Sequence, residues 1–257
     1  MITNAINAER IKLLSTKSPY WCVGIVVVLG ILIAVLVGFA DSSLSASEPL
    51  LGAPGYLIGV TQFGVLVLMI MAVLAVTSEY RFGTIRTTFQ AIPARSSVMY
   101  AKAVVYGGVS FVVTLVLAFV AVPLGKALAG DRSSQVDLLG SDAVRQYWGV
   151  PVYMVLCVLI GLGVGAIVRQ SAGAIVIVLI WPLALELILS SIPKVKVVAP
   201  YLPFNNAGRF LAGGSDVNNG GGSIDYPWND YGSLIYFAVW AIGLFAVGIV
   251  LTNRRDA

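Results

Sequence analysis

The segment YWCVGIVVVLGILIAVLVGFA, residues 20–40, decides the fold class of this chain. It contains no charged residue. An α-helix rises about 1.5 Å per residue, so a helix of this length crosses the roughly 30 Å hydrocarbon core of a bilayer. Comparable apolar windows follow along the chain. We therefore predict an all-α, polytopic membrane protein with six transmembrane helices, at about residues 20–40, 56–78, 103–124, 147–168, 172–192 and 231–252.

The composition excludes a soluble globular domain. Hydrophobic residues make up 58% of the chain and charged residues only 11%, whereas soluble domains carry about 25% charged residues. We expect one transmembrane domain over residues 1–257, with the lipid bilayer as its main solvent. The net charge of +4 does not indicate nucleic acid as a partner, because the basic residues lie at the ends of apolar runs and form no stripe with aromatics.

The distribution of basic residues predicts the orientation. Cytoplasmic loops of membrane proteins retain Lys and Arg. With the N-terminus inside, ten of the 16 basic residues fall in inner segments and six in outer segments. We therefore predict an N-in, C-in topology in the cytoplasmic membrane.

Three segments outside the spans have features of their own. Residues 1–19 mix apolar and basic side chains, as in a helix lying in the cytoplasmic interface. In the inner loop 79–102, Gly83 can end the second span, Thr84 can cap a short amphipathic helix and Pro93 can stop it. The outer loop 193–230 predicts short interfacial or re-entrant helices.

The sequence lacks the residues of several common chemistries. There is no histidine, which excludes His-dependent triads and His-ligated zinc or haem within this chain. The Gly125-Lys126 pair is followed by Ala127, so it is not a phosphate-binding P-loop. Cys22 and Cys157 lie in apolar segments and indicate neither a disulfide nor a metal site. We expect no catalytic residue, no metal and no enzyme activity of the chain by itself.

Glu186 is the only charged residue within the six predicted windows. A carboxylate there costs a few kcal/mol unless it is protonated, paired or hydrated. Pro182, one turn earlier, should kink the span. Two roles stay open for Glu186: pairing with a basic residue of the outer loop, or a place along a substrate route. The candidate pairing partners are Lys194, Lys196 and Arg209.

Gly161, Gly163 and Gly165 form a small-residue face in the fourth span, and such a face lets another helix approach closely. The partner can be a helix of the same chain or of a second subunit.

The inner loop EYRFGTIRTTFQAIPARSSVMYAK resembles the first cytoplasmic loop of ABC-2-type transporter permeases, the membrane subunits of type V-like ABC exporters. The resemblance extends to Glu-Arg-x-Lys-Leu at residues 9–13, to Trp181-Pro182 with Glu186, and to Leu202-Pro203-Phe204. In that family the loop forms a coupling helix that docks on an ATPase. The residues that carry the similarity are Glu79, Gly83, Thr84, Ile85, Arg86, Pro93, Arg95, Ala101 and Lys102. The coupling role that the resemblance implies falls on Glu79, Tyr80, Arg81, Gly83, Thr84, Ile85, Arg86, Pro93 and Arg95.

The resemblance implies an exporter subunit that works with partners. These are two copies of a separately encoded ABC ATPase, which would bind ATP and Mg, and a second permease subunit in a homodimer or heterodimer. The chain itself would bind no cofactor. The expected cargo is a small or amphipathic molecule, such as a drug, a lipid-like compound or a peptide.

Two other functions share the predicted spans. A non-transporting immunity or scaffold protein would not need an ATPase-docking loop. An ion-coupled carrier should carry more intramembrane ionisable residues than Glu186.

Overall fold

The computed structural model describes residues 2–43, 51–91, 94–192, 196–214 and 225–254. Across these ranges the regular structure is helical, with no β-strand. The α-helices are, in chain order, α1 (Ile2–Ser15), α2 (Lys17–Ser43), α3 (Gly52–Tyr56), α4 (Val65–Arg81), α5 (Thr84–Ala91), α6 (Arg95–Leu128), α7 (Ser141–Val168), α8 (Ser171–Ile180), α9 (Glu186–Ser191), α10 (Pro203–Leu211) and α11 (Asp230–Arg254). Two π-helical segments, Gly59–Gly64 and Trp181–Leu185, and two 3₁₀ segments, Gly130–Gln135 and Lys196–Tyr201, complete the elements.

Within the described ranges, six helical segments are long and apolar enough to cross a membrane, in agreement with the predicted number of spans. They are Lys17–Ser43, Gly59–Arg81, Arg95–Leu128, Ser141–Val168, Ser171–Ser191 and Asp230–Arg254.

Two of the membrane-length helices extend beyond the predicted spans. The third begins at Arg95, eight residues before the predicted span, and the second continues to Arg81. A charge-free stretch of sequence has to end before Glu79, and the next one begins only after Lys102. In the structure these two side chains form an ion pair, and both residues lie within helices. Most of the predicted loop 79–102 is consequently helical. Residues 92 and 93, including the predicted stop at Pro93, lie outside the described part of the chain.

Helix α7 forms the centre of the bundle. It packs against α4, α6, α8 and α11. In its apolar window 78% of the residues are buried, compared with 22% in α2. The apolar face of α2 that carries Val28, Leu32 and Leu36 is exposed, as expected for a helix whose outer side meets lipid.

The glycines of α7 pack inside the chain. A side-chain carbon added at Gly161 would lie 2.8 Å from the Met69 carbonyl oxygen of α4, and one at Gly163 would lie 2.7 Å from the Leu244 carbonyl oxygen of α11. Gly165 faces Val73 of α4. Of the two partners left open by the sequence, the structure therefore shows close packing against helices of the same chain.

The two π-helical segments widen the second and fifth spans locally. Pro182 lies in Trp181–Leu185, where it has no N–H to donate to the carbonyl four residues earlier. Pro182 therefore lies in a π-helical turn of the fifth span, and the kink predicted there stays a prediction.

The bundle has two distinct ends. At one, here called the α5 end, Arg95 of α6 donates a hydrogen bond to the Thr252 carbonyl of α11 at 3.3 Å, and Arg169 donates to the Leu251 carbonyl at 3.3 Å. At the other, the α10 end, Arg145 of α7 pairs with Asp230 at 3.0 Å and Gln146 donates to the Leu211 carbonyl at 2.6 Å. The termini of several helices are thus tied together at each end.

Gly163→Ala should destabilise the contact between α7 and α11 by about 1–3 kcal/mol, because the new methyl group overlaps backbone atoms that cannot move aside independently. Gly243→Ala on α11 is the matched control, since a side-chain carbon there meets nothing within 4 Å. Thermal unfolding in detergent measures both variants. Equal melting temperatures would contradict the close packing at Gly163.

Candidate functional site

A cluster of four charged side chains joins three helices at the α5 end. It consists of Glu9 and Lys12 from α1, Glu79 from α4 and Lys102 from α6. Lys102 Nζ lies 2.8 Å from Glu9 Oε2 and 2.6 Å from Glu79 Oε1, and its side chain is 2% exposed. Lys12 Nζ lies 2.9 Å from both Glu9 Oε1 and Glu79 Oε1. Two cations therefore neutralise two carboxylates inside the protein.

The burial of this cluster constrains how the three helices can pack. Removing a lysine or a glutamate from water costs several kcal/mol, which is recovered only when an opposite charge lies in direct contact. Helix α1 buries Ala5, Glu9 and Leu13 on one face, and that face packs against α6. Ile2, Ile11 and Leu14 stay exposed. The segment expected to lie in the membrane interface is thus also bound to the bundle through buried charges.

Lys12 is the solvent-facing member of the cluster, with 41% of its side chain exposed. Burial of the amine opposes its charged form, but the contacts with Glu9 and Glu79 outweigh this and raise the pKa of Lys12 above its ordinary value. The ammonium is therefore the stable form at neutral pH, and the ion pairs persist there.

A cleft of about 410 Å³ opens beside this cluster. Its walls come from α1, the start of α2, α4, α6 and the start of α8. The charged residues along it are Glu9, Lys12, Glu79, Arg81 and Lys102, and Met71, Leu74 and Ala75 supply apolar surface deeper along α4. A volume of this size is typical of a small-molecule site.

The predicted coupling residues fall into two groups in space. Glu79 belongs to the buried cluster. Tyr80, next to it, lies beneath the guanidinium of Arg169 at 4.8 Å from the ring centroid. These two residues therefore join the end of α4 to the remainder of the bundle.

The second group surrounds the short helix α5. Arg81 stacks on Phe82 at 5.5 Å, and Gly83 has φ +71°, a left-handed conformation that glycine adopts readily. The Thr84 hydroxyl donates to the Glu79 carbonyl at 3.5 Å. The Thr84 hydroxyl was expected to cap α5, but this bond satisfies a carbonyl group at the end of α4.

Helix α5 has one buried side and one exposed side. Ile85 is buried, with 6% exposure, whereas Thr84, Arg86, Thr87 and Gln90 are exposed. At its far side the Arg95 guanidinium lies 5.1 Å from the Phe89 ring. Helix α5, which connects two membrane-length helices, therefore has a polar surface that is exposed at this end of the bundle.

Glu186 is held at the α10 end by backbone groups. The N–H groups of Phe204 and Asn205 donate to its two carboxylate oxygens at 3.0 and 2.7 Å. These N–H groups belong to the first turn of α10, where a carboxylate is favoured by unpaired donors and by the helix dipole. The Asn205 side chain donates to Ser190 Oγ, and Ser190 donates to the Glu186 carbonyl.

Of the predicted basic partners of Glu186, Arg209 lies elsewhere. It donates to the Trp228 carbonyl at 2.6 Å and to the Ser233 hydroxyl at 3.2 Å. Lys194 and the side chain of Lys196 lie outside the described part of the chain. The observed contacts give Glu186 a structural partner, while a role along a substrate route stays a prediction.

Sequence reasoning missed three members of the charged cluster. Glu9, Lys12 and Lys102 were assigned to loops and flanks, where charges need no partner. A signal for Glu9 was available, because Ala5, Glu9 and Leu13 recur at the four-residue spacing of one helix face. No local pattern shows which charge on another helix that face meets.

Lys102→Met should destabilise the protein by about 3–5 kcal/mol, because it leaves Glu9 and Glu79 buried with less compensating charge. Lys17→Met is the matched control at an exposed position. Thermal unfolding in detergent gives the difference. A loss of stability no greater than that of the control would show that the cluster does not hold the helices together.

Glu186→Leu should cost about 2 kcal/mol or more, since it leaves two buried N–H groups without an acceptor. Glu186→Gln retains one acceptor oxygen at nearly the same size, so we expect a smaller loss. Urea or thermal unfolding of both variants provides the comparison. If the leucine variant is as stable as the glutamine variant, the carboxylate does not anchor α10.

Comparison with other proteins assigns no family to this chain. No family model matches it, and no curated protein matches it.

Proposed function

We propose that this chain is the permease subunit of an ATP-driven ABC exporter. It works with two copies of a separate ABC ATPase subunit and with a second permease subunit. The cargo is a small or amphipathic molecule that crosses the cytoplasmic membrane. The proposal combines the resemblance of residues 79–102 to ABC-2-type permeases with the geometry of the α5 end.

The observation that carries the proposal is the placement of α5. A connection between two membrane-length helices needs only a short turn, yet here it contains a separate helix with one buried and one exposed side. Such a helix lies where a partner subunit can contact it, and its basic residue Arg86 favours a partner with acidic groups.

The charged cluster supports the proposal because it connects α5 to the membrane helices. Glu79 lies in the last turns of α4, only five residues before α5 begins, and it binds side chains of α1 and α6. A displacement of α5 that moves the end of α4 therefore acts on three helices together. This linkage is what an ATPase would need in order to drive a rearrangement of the bundle.

The proposed orientation has the α5 end inside the cell. Arg81, Arg86, Arg95, Arg169 and Arg254 belong to segments that meet at this end. A basic surface next to the membrane is typical of the cytoplasmic side. In this orientation α5 faces the compartment that contains ATP and the soluble ATPase.

Arg86→Glu should reduce recovery of the co-expressed ABC ATPase with the permease by about fivefold, because a like charge replaces a complementary one at the docking surface. Arg254→Glu is the matched control, since it makes the same change at an exposed position at the end of α11. Co-purification in one detergent, followed by ATPase assays in lipid, measures both.

Three outcomes separate the alternatives. Loss of the ATPase with Arg86→Glu alone supports docking on α5. Equal recovery with both variants, and unchanged transport, would mean that Arg86 only contacts anionic lipid. Failure of the unmodified chain to recover any ABC ATPase would favour the immunity or scaffold function.

A further inference from the structure

The cleft beside the charged cluster has a charged rim and an apolar inner wall. Arg81 lies at the last residue of α4, while Met71, Leu74 and Ala75 continue along the same helix toward the middle of the span. Met71 precedes Arg81 by ten residues, which corresponds to about 15 Å of helix. Half of a typical hydrocarbon core has the same thickness. The apolar wall thus extends about one leaflet deep from a charged rim.

The charges around the cleft leave one cation in excess. Lys12 and Lys102 together face the carboxylates of Glu9 and Glu79, and these four groups compensate one another. Arg81 also lines the cleft and is exposed. Among the described acidic residues none forms an ion pair with Arg81. The rim therefore favours an anionic group, and the exposed amine of Lys12 adds a second donor.

A ligand that matches both features needs a negative head and a hydrocarbon chain. We propose that this cleft binds an anionic phospholipid, with its phosphate at Arg81 and Lys12 and an acyl chain along Met71, Leu74 and Ala75. Basic pockets between membrane helices bind lipid head groups in this way. The proposal goes beyond the transport function and does not depend on it, because it concerns the isolated chain.

The position of the cleft favours a lipid over a soluble anion. Its rim includes Ser18 and Pro19, in the first turn of the apolar helix α2, as well as Arg81 at the end of α4. Two membrane-length helices therefore begin and end at its level, where lipid phosphates lie. A soluble anion would use the charged rim but would leave the apolar wall of α4 without a partner.

The test measures lipid binding to the purified chain without any ATPase. The protein is delipidated in detergent and titrated with phosphatidylglycerol or phosphatidylcholine of the same acyl chains, and native mass spectrometry counts the bound lipid. We expect one phosphatidylglycerol to bind about tenfold more tightly than phosphatidylcholine, in line with a charge-assisted contact in a partly buried site. Equal binding of the two lipids would overturn the proposal.

Two kinds of variant separate the cleft from general surface charge. Arg81→Gln should reduce the preference for phosphatidylglycerol to about twofold, whereas Arg254→Gln at an exposed position of the same end should leave it unchanged. Ala75→Leu and Ser78→Leu add bulk to the cleft without changing any charge, and each should weaken binding of both lipids. Ala246→Leu at an exposed site on α11 is their control.

The remaining outcomes are decisive as well. An unchanged lipid preference in Arg81→Gln, with the variant folded as judged by its melting temperature, would exclude Arg81 as the phosphate partner. Binding of free glycerol phosphate as tight as that of the lipid would replace the lipid with a soluble anion. Binding that is insensitive to both leucine variants would show that only the surface charge attracts the lipid. Because no ATPase is present, these results leave the transport proposal to its own experiment.

Discussion

The need to neutralise Lys102 constrains the whole α5 end. Its side chain is 2% exposed and contacts carboxylates from α1 and α4 at 2.8 and 2.6 Å. A buried ammonium without these contacts would cost more than most single interactions in a folded protein contribute. Helix α1 therefore cannot detach, nor α4 shift along α6, without exposing the same charge. One lysine thus fixes the relative positions of an N-terminal helix and two membrane-length helices.

The α10 end meets the same constraint with different chemistry. Glu186 and Asp41 are both buried, but neither contacts a basic side chain at ion-pair distance within the described residues. Glu186 accepts two backbone N–H groups of α10, and Asp41 accepts the Tyr56 hydroxyl at 2.9 Å and the Leu51 N–H at 3.1 Å. Each carboxylate thereby supplies an acceptor to a connecting segment whose donors would otherwise be unpaired.

The sequence predicts the spans well because hydrocarbon thickness sets their length and excludes unpaired charge. The same reasoning does not give the helix ends where a charge is paired, and α6 begins at Arg95, well before the buried Lys102. A local irregularity at Pro182 was predictable from its missing N–H, whereas its π-helical form was not. The partner of Glu186 was not predictable, since Phe204 and Asn205 reach it only through the fold of the connecting segment.

In the candidate site too, some features follow from neighbouring residues in the sequence and others depend on residues far along the chain. The sequence around α5 contains its own local signals, and its glycine at residue 83 has the expected positive φ. The role of Glu79 depends on Lys12, 67 positions earlier, and Lys102, 23 positions later, which no motif in the loop specifies. Because Oε1 of Glu79 binds both Lys12 and Lys102, a rearrangement that breaks one contact changes the field at the other. The end of α4 therefore responds to movements of α1 and α6 as a single electrostatic unit, and α5, which follows directly, is placed to transmit or receive such a movement.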